Sequence, residues 1–217
     1  MAVAVIASTQ GSGGSRAITT PAAGDLIVVF ISQTNTTGVP TITDSIGGTY
    51  TVNATSAIFA SSVHSLYVGY KYAVGTETSV SFTPAAGGTA FGICCFEVSG
   101  VENPILIETI KNTNNSAFAT SASTTAMTTN QNNVVLAAVA LTAAQTPSAW
   151  TGSKPMTAVG VAATPIIGGS YIATGPLTAQ QFTANWNASR NSGNLAIAIG
   201  PPYVAPATNN AGFFALM

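Results

Sequence analysis

The chain has 217 residues, of which 5% are charged, a net charge of −1 and two cysteines. Ordinary soluble domains carry about 25% charged residues, so the polar surface here has to be built from Ser, Thr, Asn, Gln and Gly. Five scattered basic residues (Arg16, Lys71, Lys111, Lys154 and Arg190) make no nucleic-acid patch, and the longest apolar runs, Leu26–Ile31 and Val134–Leu141, fall far short of a membrane-spanning helix. The length suits one β-sandwich or two small domains.

In chain order, MAVAVIASTQ has no basic region before its apolar residues and reads as no secretory signal. Ala2–Ala7 predicts a first strand, Gly11–Ser15 a flexible break and Ile18–Thr20 a short strand. Leu26–Ser32 is apolar at successive positions, the pattern of a strand buried on both faces. Thr41–Asp44 and Thr49–Asn53 predict short strands around a Gly-Gly turn. From Ser65 to Gly100 three strands follow. Leu66, Val68, Tyr70, Tyr72 and Val74 alternate with small or polar residues, as do Val80 and Phe82. The third strand is apolar on both sides, with Phe91, Ile93 and Cys95 on one face and Cys94, Phe96 and Val98 on the other. Adjacent cysteines in a strand point apart, so no disulfide is expected.

Past Gly100, Ile105–Ile110 predicts an edge strand, Asn112–Ser116 a loop and Ala117–Met127 an exposed strand. The second half then echoes the first. Asp25-LIVVFI matches Asn133-VVLAAVAL, Tyr67–Val68 matches Tyr171–Ile172, and Phe82 matches Trp186. No sustained 3.6-residue periodicity occurs, so helix is expected to be near zero, with a short turn possible at 177–181.

The expected fold is all-β, an antiparallel, jelly-roll-like β-sandwich with extended N- and C-terminal arms. Residues 1–24 form the arm and first short strands. Residues 25–200 form one sandwich, weakly duplicated as 25–100 and 133–200, each half supplying strands to both sheets. Residues 201–217 form an extended apolar tail. An exposed apolar tail is an aggregation hazard unless it docks. Phe213, Phe214, Leu216, Met217 and Tyr203 are the expected partner contacts, with Val3, Val5 and Ile6 as a second arm.

Catalytic constellations are weak. His64 is the single histidine, read as a surface or turn residue, and no Gly-x-Ser-x-Gly elbow is present. Glu97 and Glu102 are the one candidate carboxylate pair. One His and two back-to-back cysteines do not suit zinc. No catalytic residue, cofactor or metal is therefore assigned. Tyr70 and Tyr72 are expected in the core, and exposure of Trp150 or Tyr50 would favour a sugar-binding platform.

The segments GDLIVVFIS, TITDSIGGTYT, LYVGYKYAV, VSFTP and CCFEVSGV resemble a β-sandwich domain of bacteriophage virion proteins and some bacterial surface proteins. The resemblance covers roughly Gly24–Val101, with weaker echoes at 133–142 and 170–199. It implies an extracellular or virion structural role and carries over no catalytic residue; the expected version is a non-enzymatic capsid decoration or cement protein or a small fibre subunit, and the lack of a secretory signal fits assembly in the host cytoplasm. Its partners would be copies of itself, a trimer being one expectation, and viral coat protein, with neither nucleic acid nor membrane. The alternative is a carbohydrate-binding or adhesive module on a fibre or cell surface.

Overall fold

A computed structural model describes residues 3–53, 56–59, 63–101, 106–129, 133–152 and 154–200, with the side chains of 106–117 outside that description. The described residues contain no helix, and their strands pair antiparallel throughout into a sandwich. The 177–181 segment holds bends and a bridge from Gln180 to Met127.

The first half makes one six-stranded sheet from β1 (Ala4–Ser12), β3 (Leu26–Thr34), β5 (Thr51–Val52), β6 (Ala57–Phe59), β7 (His64–Tyr72) and β9 (Thr89–Ser99). Its order is β1-β9-β3-β7-β5, with β6 also on β7. A three-stranded sheet of β2 (Ser15–Ala17), β8 (Ser79–Thr83) and β4 (Thr41–Asp44) covers its outer face. The second half makes the other six-stranded sheet from β10 (Leu106–Ser123), β11 (Asn133–Gln145), β12 (Pro147–Thr151), β13 (Thr157–Ala158), β14 (Thr164–Ala173) and β15 (Thr183–Gly200). Its order is β10-β15-β11-β14-β13, with β12 on β15. The two five-strand paths correspond position for position, but the sixth strands differ: β6 lies on β7, whereas β12 lies on β15, the counterpart of β9.

Strands apolar on both faces are explained by this layering. Leu26, Val28 and Phe30 of β3 meet Val134, Leu136 and Ala138 of β11 in the core between the sheets. Ile27, Val29 and Ile31 face outward, under Ile42, Val80 and Phe82 of the covering sheet. Val135, Ala137 and Val139 face outward under Trp150, Met127, Leu177 and Phe182. Both central strands are thus buried twice, which removes nearly every side chain of β3 from water.

Within the sandwich, the strand assignment differs from the expectation that each half supplies strands to both sheets. Each sheet comes wholly from one half, because each half's central strand pairs with strands near it in sequence. The register also corrects one match. Leu26 pairs with Tyr72 and Val98, and Val134 pairs with Ile172 and Ile199. Tyr72 therefore corresponds to Ile172, and Tyr67 to Ile167 rather than to Tyr171. Phe82 and Trp186 do both pack over the outer face of their half's central strand, Phe82 from the covering sheet and Trp186 from β15.

Glycines mark the repeat better than tyrosines. Gly69 and Gly169 are equivalent in register, and an added Cβ would lie 2.7 Å from Ile42 Cδ1 at one and 2.6 Å from the Trp150 ring at the other. Gly92 and Gly193 are equivalent on the inner side, where a Cβ would meet Ile166 at 3.0 Å and Phe59 at 2.4 Å across the sandwich. Gly193→Ala is therefore expected to cost ~1–3 kcal/mol by overpacking. Adding Phe59→Leu should recover part of that loss in urea unfolding, whereas Gly92→Ala should cost less.

Other predicted elements moved. Gly11–Ser15 is a corner: Gly13, at φ +83°, ends the pairing of β1 with β9, and the chain then joins β8 as β2. The predicted strand at Ile18–Thr20 is coil, the short strand lying instead at Ser15–Ala17. Asn112–Ser116 is no loop but part of the long edge strand β10. A bulge opposite Ser32 and Gln33 leaves Phe91 unpaired with β3, so Phe91 packs on His64 and Ala90 takes the outward place.

Candidate functional surfaces

The expected arms divide between described and undescribed residues. Tyr203, Phe213, Phe214, Leu216 and Met217 lie outside the described residues, as does Glu102. Val3 and Val5 pack against the core between the sheets, and from Ala4 onward the chain is an edge strand rather than a free arm. Ile6 differs. A register shift between Val5 and Ala7 leaves it unpaired, and it is 55% exposed.

Ile6 borders a groove of about 400 Å³ between β1 and β14, lined also by Val5, Pro155, Thr157, Tyr171 and Ile172. The groove is a gap in the core. At this level of the second sheet Val134 and Ile199 are fully buried, yet Ile172, which pairs with Val134, is 50% exposed. The layer of apolar side chains therefore stops one residue short of being covered. Among the described residues β1 pairs only with β9, which leaves its other side an open edge beside this gap.

A second groove, of about 370 Å³, lies on the outer face of the first sheet under the Ala17–Pro21 linker. Glu97 lines it and is hydrogen-bonded to Asp25; whether it pairs with Glu102 lies outside the described residues. Burial, then the neighbouring Asp25 carboxyl, pushes the Glu97 pKa up. Cys95 also lines it; burial pushes its thiol up to about 12, so it is a poor nucleophile.

The other chemistry-bearing residues are buried or half-buried. His64, half-buried at the start of β7, packs against Phe59 and Phe91, and burial lowers its pKa. Its Nδ1 has no hydrogen-bond partner among the described residues. Tyr70 and Tyr72 pack partly buried against the inner core. Trp150 is buried and donates its indole N–H to the Gly168 carbonyl at 3.1 Å, and Tyr50 is buried too. Neither offers a face for stacking a sugar. Among the described residues no three His, Cys, Asp or Glu side chains gather as metal ligands.

One charged cluster was missed by sequence reasoning. Lys71 of β7 contacts Asp44 at the end of β4 and sits 2.8 Å from Glu77 in the β7–β8 loop. Both carboxylates are fully buried and Lys71 is 13% exposed. Asp44 Oδ1 also accepts the Ile46 and Gly48 N–H groups at 3.1 and 2.8 Å. Glu77 accepts N–H groups from Val74, Gly75 and Thr76 at 2.9–3.1 Å. Burial works against this charge, but the Lys71 ammonium and then the backbone N–H groups outweigh it and hold the Glu77 pKa down at about 2. The Tyr50 ring closes the cluster, 5.8 Å from Lys71 Nζ. The available signal was charge scarcity: in so neutral a chain, a buried charge needs a partner.

Comparisons with known proteins add nothing to this geometry: no family model, no curated protein and no solved structure matches the chain.

Proposed function

We propose that the chain is a non-enzymatic structural subunit that works by assembly. In the setting its sequence resemblance implies, it is a capsid decoration or cement protein or a small fibre subunit. The observation that carries this reading is the uncovered corner of the core at Ile6 and Ile172, beside the open edge of β1.

The occupant is the apolar segment 201–217 of a neighbouring copy. Ile199 and Ile172 flank Val134 on either side, about 10 Å apart at two strand spacings, so the chain leaves β15 at the same end as the corner. Residues 201–217 reach up to ~55 Å when extended, enough to cross to a neighbour. An extended segment entering there adds backbone hydrogen bonds to β1 and buries Phe213, Phe214, Leu216 or Met217 against Ile6 and Ile172. The charge-poor surface puts up little repulsion between copies.

Light scattering of the full chain, of a version ending at Gly200 and of Ile172→Glu tests this. The full chain is expected to be oligomeric and both variants monomeric. Monomers in all three would overturn the reading and shift attention to glycan screening.

A further inference from the structure

Lys71, Asp44 and Glu77 are arranged as reactants, not only as an ion pair. We propose that Lys71 and Asp44 condense within the folded chain to an amide, an intramolecular cross-link between β7 and the end of β4, with Glu77 moving the protons.

The parts are in place. Lys71 Nζ touches Asp44 Oδ2, the oxygen that would leave. Asp44 Oδ1 is held by two backbone N–H groups, those of Ile46 and Gly48. That pair of donors stabilises the oxyanion formed when an amine adds to the carboxyl carbon. Glu77 Oε1 lies 2.8 Å from the same Nζ, within proton-transfer reach. Water is excluded, since both carboxylates are fully buried. Positioning of this kind turns a bimolecular condensation into a unimolecular one.

The step balances without any co-reactant. Glu77 takes a proton from the Lys71 ammonium and passes it to Asp44 Oδ2. The Nζ lone pair attacks Asp44 Cγ, and the C–O bond electrons move onto Oδ1. A second proton travels from Nζ through Glu77 to Oδ2, the Cγ–Oδ2 bond breaks, and water leaves. Ammonium plus carboxylate has become amide plus water, and Glu77 ends as it began. The drive is electrostatic: a buried ion pair keeps much of its desolvation cost, whereas a buried amide carries no charge.

The product would tie the covering sheet to the six-stranded sheet beneath it, closing the loop between residues 44 and 71. Such a closure raises Tm by about 7–14 °C in a chain of this size.

Intact mass spectrometry of the purified full chain tests the proposal. Wild type is expected to be lighter than its sequence by one water, and a peptide map should show one branched peptide joining Asp44 to Lys71. Lys71→Arg should keep its full mass, and Glu77→Gln should condense at least about 100-fold more slowly. Circular dichroism checks that both variants fold. Wild type at full mass after prolonged incubation in the folded state would overturn the proposal. So would a water loss confined to Asp44–Ser45 as a cyclic imide, with Lys71 left in a linear peptide.

Discussion

Phe96→Ala is expected to destabilise the protein by ~3–5 kcal/mol, while Phe118→Ala changes stability by less than ~0.5 kcal/mol. Phe96 sits on β9 between the two six-stranded sheets, 1% exposed and edge-on to Phe30 at 5.9 Å. Removing its ring leaves a cavity with sheets on both sides, and neither sheet can collapse into it because each is held from behind by its own cover. Phe118 is as large and as aromatic, but it lies on the edge strand β10 and is 71% exposed. Urea unfolding of the two variants gives the comparison directly. Similar losses from both would mean that the sandwich core is not where the energy of this fold resides.

Glu77→Gln is expected to cost the protein up to ~3 kcal/mol more at neutral pH than near pH 2. The folded-state pKa of Glu77 is held down at about 2 against an ordinary 4.5. A depressed carboxylate contributes stability that is fully present above the unfolded value. That stability is lost as pH falls from about 4.5 through about 2. Below that range wild-type Glu77 is itself neutral, and glutamine is its close mimic. In condensed protein Lys71 no longer carries charge, so the shift of Glu77 rests on its three backbone donors and the pH-dependent part shrinks. The part of the difference that remains at pH 2 then measures the cross-link that Glu77→Gln fails to make. Unfolding free energies at both pH values separate the two. No pH dependence in the difference would contradict the burial and bonding assigned to this carboxylate.

Several features of this architecture were legible because they are written in hydrophobic pattern. Leu26–Ile31 and Val134–Leu141 are apolar at every position, and both proved to be central strands covered on both faces. Alternation in β7 put Leu66, Val68, Tyr70 and Tyr72 on one side, where they face the inner core. What failed was whatever pattern does not encode. Asn112–Ser116 reads as loop because an edge strand can be polar on both sides. Phe91 was placed with Ile93 and Cys95, since a bulge shifts the alternation without leaving a mark in composition. The repeat was aligned on conspicuous tyrosines, but equivalence is set by register, and Gly69 with Gly169 carries it because a cover residue needs the same space at both.

The candidate surfaces were less legible still. Ile6 was singled out with Val3 and Val5, yet only the irregularity after Val5 separates an exposed side chain from two packed ones. Lys71, Asp44 and Glu77 come together from two strands and a loop, and no spacing along the chain announces a contact between the end of β4 and the middle of a sheet. Ile172 looked like any strand isoleucine. Its meaning comes from its neighbours in register, Val134 and Ile199, which are covered where it is not.

The most direct test of the assembly account is a disulfide-trapping experiment between two differently tagged chains, one carrying Ile172→Cys and the other Phe214→Cys. The native Cys94 and Cys95 are buried and stay silent. The account expects a cross-linked heterodimer under mild oxidation, because the apolar segment of one copy covers the corner of another. If the mixed chains stay unlinked while a single chain carrying both substitutions closes on itself, the segment folds back on its own domain and the account of assembly is wrong.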